Sequence, residues 1–278
     1  MSIHIHFIGG GNMASAIIGG LKTNGFEMSH ITVIEPDAEK RTQLSATYGV
    51  QNLDTYVENL DSATCQNIIV LAVKPQILQE VCQNLAKKIS RKSSPLIISI
   101  AAGVQCDAIA SWLSGYAAIV RVMPNTPAQI QAGVSALFAT PGVNETQRLQ
   151  AEQILSAVGK TLWLSDEHKM DAVTAISGSG PAYVFYLIEA LQEAAIKLGL
   201  TLDEARLLSL ETFAGASLLA KQSTIDIQTL RAQVTSKGGT TEQGILALEC
   251  ANTKGIIQAA TEAAAKRANE LGTLLGKR

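Results

Sequence analysis

The chain has 278 residues, 47% of them hydrophobic and 17% charged, with a formal net charge of -2. That length suits one large or two medium domains, and the composition is that of a well-buried globular protein. No basic stripe is present to neutralise a phosphate backbone, so a nucleic-acid partner is not expected.

Ile3 to Ile8 reads as a short strand, followed by the glycine cluster Gly9-Gly10-Gly11. Asn12 to Thr23 then carries Met13, Ile17, Ile18 and Leu21 at helical spacing, with Asn24-Gly25 as its stop. Ile31 to Ile34 is a second strand, and Pro36-Asp37 opens another helix. Ile68 to Val73 and Leu96 to Ile100 are all-apolar runs of the kind found in parallel strands buried on both faces. Ala118 to Val122 and Gly133 to Ala139 are further strands, and the alternation continues to about Leu164. The pattern predicts an α/β fold, with a Rossmann-like doubly wound parallel sheet over residues 1–164.

From His168 onward no strand is expected. Tyr183 to Leu198, Asp203 to Lys221, Ile227 to Val234 and Gly255 to Leu271 read as helices. The first two are apolar on more than one face, and so few helices cannot cover one another. An all-α C-terminal domain over residues 165–278, dimerising through those faces, is the expectation. The apolar runs are too short to span a bilayer, so no membrane partner is expected. The N-terminus shows no cationic region ahead of a cleavage site, so no signal peptide is read there and the default location is cytoplasmic. Cys65, Cys82, Cys106 and Cys250 have no zinc or C-x-x-C spacing, and His4, His6, His30 and His168 form no metal-ligand pair on a helix face. No metal is expected.

Gly9-Gly10-Gly11-Asn12-Met13-Ala14 fits the G-x-G-x-x-A dinucleotide fingerprint between a strand and a helix. Gly9 permits the tight turn, Gly11 lets a pyrophosphate approach the backbone, and Ala14 allows close helix packing, with the helix N-terminus facing the anion. The competing reading is a structural turn. Glu35 ends the second strand, where a carboxylate accepts hydrogen bonds from the adenosine ribose and repels a 2′-phosphate. The competing reading there is a helix-start acid, and Lys40 and Arg41 are near enough in sequence to bind a phosphate instead.

Ser177-Gly178-Ser179-Gly180-Pro181-Ala182-Tyr183 resembles the pyrroline-5-carboxylate reductases. So do Val234-Thr235-Ser236-Lys237-Gly238-Gly239-Thr240-Thr241, Ala72-Val73-Lys74-Pro75, Ala101-Ala102-Gly103-Val104 and Met123-Pro124-Asn125-Thr126-Pro127. The blocks keep their order and spacing nearly end to end. The resemblance implies that Ile8, Gly9, Gly10, Gly11, Asn12 and Met13 hold the pyrophosphate and that Asn59 contacts the adenosine. Ala72, Val73, Lys74 and Pro75, with Ile100, Ala101 and Ala102, would line the nicotinamide end. Thr241 would hydrogen-bond the substrate ring nitrogen as the catalytic residue. Gly239 and Thr240 would hold the small-molecule substrate's carboxylate through backbone N–H groups, with Ser177 and Glu167 near the substrate. The resemblance also implies a homodimer with interlocked helical halves that complete the site, and in some members a ring of dimers. The family leans to NADPH, whereas Glu35 leaves NADH open.

The activity so implied is hydride transfer from NADPH or NADH to the cyclic imine 1-pyrroline-5-carboxylate, giving L-proline, the last step of proline biosynthesis. A protonated imine carbon is electrophilic and yields an amine, so no strong general acid is obligatory. The alternative is an NAD(P)-dependent 3-hydroxyacid dehydrogenase, which should carry a lysine on the helix after the glycine-rich turn; here none occurs before Lys197. A non-enzymatic dinucleotide-binding regulator is the third reading, and it has no use for a carboxylate pocket at Gly238 to Thr241.

Overall fold

The computed structural model describes residues 2–55, 65–89 and 94–276. Eight strands among them form one sheet: β1 (Ser2–Ile8), β2 (Ile31–Ile34), β3 (Gln51–Leu53), β4 (Cys65–Leu71), β5 (Leu96–Ser99), β6 (Ile119–Met123), β7 (Gly133–Ala139) and β8 (Gly159–Trp163). Their order is β3-β2-β1-β4-β5-β6-β7-β8. Every neighbouring pair is parallel except β6 and β7. That pair is antiparallel because only a short 3-10 turn, Thr126–Ile130, separates the strands, too little chain for a parallel crossover.

The all-apolar runs behave as the period of two requires. In β4, Ile68 and Val70 face one layer with Ile17, Ile18 and Ile154, while Ile69 and Leu71 face the other with Leu78, Leu85 and Ile109. Helices cover both faces: α1 (Asn12–Thr23), α2 (Ala38–Tyr48), α3 (Pro75–Ala86), α4 (Cys106–Trp112) and α5 (Glu145–Ser156). Each fully buried isoleucine or leucine contributes about 2 kcal/mol, so the central strands carry much of the stability. Local signals set the helix starts. Asp37 accepts from the N–H groups of Glu39 and Lys40 at the start of α2, Pro75 opens α3, and Asn144 with Gln147 forms a capping box on α5.

The chain runs from β1 outward through β2 to β3, then returns to β4 on the other side of β1. The sheet therefore reverses its winding between β1 and β4, and ligands bind sheets of this kind beyond the carboxyl ends of such strands.

The protein divides into two compact units, Met1–Ser179 with Ala264–Arg278, and Gly180–Ala263. In the first, α6 (Lys169–Val173) passes into a π-helical turn over Thr174–Gly178, closed by the Ser179 N–H donating to the Thr174 carbonyl at 2.8 Å. The second contains α7 (Gly180–Lys197), α8 (Leu202–Gln222), α9 (Ile227–Gln233), α10 (Thr240–Cys250) and the first part of α11 (Thr253–Gly276). A capping box of Thr201 and Glu204 starts α8. The end of α11 belongs to the first unit, where Gly272 lies so close to the Gly103 loop that a Cβ on it would sit 2.7 Å from the Gly103 carbonyl oxygen.

Candidate active site

Three loops meet at the carboxyl ends of β1, β4 and β5. The Ala72 N–H donates to the Ile8 carbonyl at 2.8 Å, and the Ile100 N–H donates to the Leu71 carbonyl at 3.1 Å. These bonds place Ile8, Ala72 and Ile100 side by side, although they are far apart in sequence. A cleft of about 380 Å³ opens there, lined by Ile8, Gly9, Gly11, Glu35, Ala72, Val73 and Lys74 among others. A more polar hollow on the other side of the turn is bordered by Gly10, Gly11 and Asn12. Lys40 lines both.

The glycines differ in what they do. Gly9 has φ +100, and a Cβ there would lie 2.7 Å from the Ala72 carbonyl oxygen, so the turn itself demands glycine. A Cβ on Gly11 would meet nothing within 4 Å in the chain, so its lack of a side chain keeps the cleft side open. Gly11 is also the N-cap of α1, and no side chain caps that end. The free N–H groups of the first turn and the helix dipole favour an anion in front of Gly11. Buried Ala14 packs the helix onto the sheet, and Met13 turns back against the same core layer. The residues present fit a dinucleotide pyrophosphate.

Glu35 is 7% exposed at the end of β2. Its Oε2 accepts the Gly10 N–H at 2.8 Å and its Oε1 accepts the Asp37 N–H at 3.1 Å. Arg41 Nη1 donates to the carbonyls of Glu35 and Pro36 at 2.7 and 2.8 Å. Asp54 and Thr55, which follow β3, also border the cleft. The sequence reading missed them because β3 is only three residues long and only partly buried. Ala101 is buried in the core and Ala102 exposed, while Pro75 is the first residue of α3. Asn59 lies outside the described residues.

Glu167 is engaged inside the first unit. Its Oε1 accepts from Arg121 Nη1 at 2.8 Å and from the Cys106 N–H at 2.8 Å. Arg121 is buried, and a buried guanidinium needs such a partner. The signal for this pair was an arginine in the middle of the apolar run Ile119–Met123, but nothing local tells which acid it meets. Ser177 Oγ donates to the Val173 carbonyl at 3.1 Å, within the π-helical segment.

Gly239, Thr240 and Thr241 belong to the second unit. Gly239 is the N-cap of α10, and Thr240 and Thr241 are exposed in its first turn. The Gly239 N–H donates to the Ser236 carbonyl at 3.0 Å, and the Gly238 N–H donates to Glu242 Oε2 at 2.7 Å. The first-turn amides of Thr240 and Thr241 are therefore the better placed donors for a carboxylate.

The buried thiols of Cys82 and Cys106 are not poised as nucleophiles. Burial pushes the Cys82 thiol up to about 12, and burial followed by the Glu167 carboxylate pushes Cys106 up as well. His4 and His6 stack with ring centroids 4.6 Å apart along β1, and burial lowers the His6 pKa to about 4. Among the described residues no three His, Cys, Asp or Glu side chains cluster to hold a metal, and no helix is long and apolar enough to cross a membrane.

Residues 167–271 match the family model described as pyrroline-5-carboxylate reductase dimerisation, and residues 4–103 match that described as NADP oxidoreductase coenzyme F420-dependent. A pyrroline-5-carboxylate reductase of Pseudomonas aeruginosa is 42% identical over 273 residues, covering 98% of each protein. The solved structure of a pyrroline-5-carboxylate reductase from Coxiella burnetii superposes with a TM-score of 0.89 at 42% identity, over 96% of this chain and 98% of that one. That of a Plasmodium falciparum pyrroline carboxylate reductase with NADP bound gives 0.81 at 30% identity, over 97% and 98%. Sequence and fold agree over nearly the whole length of these relatives, and the chain belongs to the pyrroline-5-carboxylate reductase family.

Proposed function

We propose that this chain reduces 1-pyrroline-5-carboxylate to L-proline with NADPH or NADH in the cytoplasm, as the last step of proline biosynthesis. The observation that carries the reading is the uncapped start of α1 with its bare Gly11, set beside the β4 and β5 loops at the point where the sheet reverses its winding. Residues 1–164 serve the dinucleotide, and residues 165–278 serve the substrate and dimerisation. The 3-hydroxyacid dehydrogenase reading is not favoured by relatives that match over 98% of this chain.

The bound cofactor supplies a hydride from its reduced nicotinamide. Ile8 to Met13 hold the pyrophosphate, Glu35 and Asn59 the adenosine side, and Ala72 to Pro75 with Ile100 to Ala102 the nicotinamide side. The imine's carboxylate docks on the N-terminus of α10, where the N–H groups of Thr240 and Thr241 and the helix dipole attract an anion. Gly239 shapes that turn, since a Cβ there would lie 2.6 Å from Ser236 Oγ. Thr241 orients the ring nitrogen through its hydroxyl. Glu167 and Ser177 act near the substrate through the segments they hold, Glu167 by tying Arg121 to the start of α4. Catalysis comes mainly from positioning, because addition of hydride to a protonated imine leaves an amine and no alkoxide.

The active species is a homodimer formed through the helical domain, which assembles further into a ring of dimers. Loss of absorbance at 340 nm with pyrroline-5-carboxylate and either reduced cofactor, and none with 3-hydroxyacids and the oxidised forms, tests the reading. Absence of turnover with both cofactors overturns it.

A further inference from the structure

We infer that Arg121 and Glu167 are positioning residues for hydride transfer: their ion pair is a clasp that holds the loop over residues 100–105 in register with the segment carrying Ser177. The inference rests on the reading above for the place of the nicotinamide beside that loop. Arg121 lies in β6 opposite Ser99, the last residue of β5, so it sits where the loop leaves the sheet. Ser99 is fully buried, and its Oγ accepts the Ala101 N–H at 3.4 Å. At the far end of the loop the N–H of Cys106, the first residue of α4, donates to Glu167 Oε1 at 2.8 Å. The same oxygen accepts from Arg121 Nη1 at 2.8 Å. The loop is therefore tied where it leaves β5 and again where it enters α4, and the second tie is Glu167.

Glu167 carries the tie onward. Its carbonyl accepts the Met170 N–H at 2.9 Å at the start of α6, and Met170 is wholly buried. Helix α6 runs into the π-helical turn, whose end returns to β6: a Cβ on Gly178 would sit 2.5 Å from Met123 Cε. Met123 closes the strand that contains Arg121. The segment over residues 167–178 is thus fastened to β6 by charge at one end and by close packing at the other. Stability alone does not account for the charged end. Side-chain exposures of 6% and 18% take both groups largely out of water, and apolar residues of similar volume commonly serve a buried site as well or better. An ion pair adds direction, because guanidinium and carboxylate meet at short range and over a narrow set of angles. Hydride transfer rewards that accuracy, since a misplacement of about 1 Å costs on the order of 100-fold in rate.

Kinetics of the full-length protein with pyrroline-5-carboxylate, using reduced cofactor with and without deuterium at the transferred position, test the inference. The double variant Arg121→Met with Glu167→Leu removes both charges together and should melt no lower than wild type. Its kcat should still fall about 100-fold, with ADP binding unchanged. The deuterium isotope effect on kcat should grow, as hydride transfer becomes the slow step. Glu167→Gln keeps the shape and should lower kcat about tenfold, so it decides the matter if the double variant does not fold. A stable double variant with wild-type kcat and isotope effect overturns the inference. So does unchanged kcat in Glu167→Gln; if the KM for the imine alone rises, Glu167 is a substrate ligand. Absence of turnover by wild type overturns the proposed function instead. The clasp is then read from the fluorescence of bound NADPH, which should fall towards the free value in the variants, and unchanged fluorescence overturns it.

Discussion

The two compact units meet the burial problem in different ways. The first buries Ile5, Phe7, Ile17, Ile68, Ile69 and Leu71 completely between its sheet and helices. The second, Gly180–Ala263, buries only Ala205 and Ser209, while Phe185 is 65% exposed and Tyr186, Leu207, Leu208, Leu218 and Leu219 are exposed as well. A twisted sheet offers two apolar faces and lets the same chain cover both with crossover helices. A set of helices that is apolar on several sides has no such closure, and leaves surface that water penalises until a second molecule covers it. The match of residues 167–271 to a dimerisation model agrees with that physical reading. The first core is closed within one chain, whereas the second leaves apolar surface for another copy to cover.

The strongest way to break this comparison is to charge the exposed face. Phe185→Asp with Leu208→Asp should weaken self-association on the order of 1,000-fold, giving a monomer by sedimentation while the dinucleotide still binds. A dimer that survives both changes would remove the apolar face from the interface.

Acid should act on the first unit through His6. Its pKa is lowered to about 4 in the fold, so the neutral ring is the form the fold accepts. Its contribution is full above the ordinary value near 6.5 and is lost as pH falls towards 4, up to about 3 kcal/mol. His4 shifts in the same direction, by burial first and then by the charge of His30. Melting temperatures between pH 7 and pH 4 should fall for wild type and flatten for His6→Leu; parallel curves would dismiss the histidine as the cause.

Thr241→Ala sharpens the comparison at the second unit, because it touches chemistry without touching a core. It should lower kcat/KM about 100-fold with dinucleotide affinity unchanged, and unaltered turnover would take Thr241 out of the site. The smallest contrast is between two glycines of one turn. Gly9→Ala should destabilise the first unit by about 1–3 kcal/mol, since its φ of +100 and the Ala72 carbonyl both oppose a side chain. Gly11→Ala should leave melting unchanged and weaken the dinucleotide about tenfold. Equal effects on stability would mean that Gly11 is a packing residue.

Much of the first unit was legible in the residues. The run Asn12 to Thr23 forms the helix its spacing predicts, and Ile31–Ile34 and Gly133–Ala139 form their strands, because each carries a strong local period and a clear stop. The three-residue β3 was not, since so short and exposed a segment has no pattern to read. The antiparallel turn of β7 against β6 was not either, because strand direction depends on connection length rather than on the strand's own residues.

The sequence by itself determined the order of elements, the glycine turn and the family, since these rest on local periodicity, backbone freedom at glycine and ordered motifs. Only the tertiary structure decided which distant groups share a bond. Glu35 meets Gly10 across 25 residues, and Glu167 meets Arg121 across 46. It also decided that Arg41, near enough along the chain to bind a phosphate, sets its Nη1 on the carbonyls of Glu35 and Pro36. Such pairings are set by how strands stack and where turns point, and the hydrogen-bonding capacity of a side chain says what it can hold but not what it will be near.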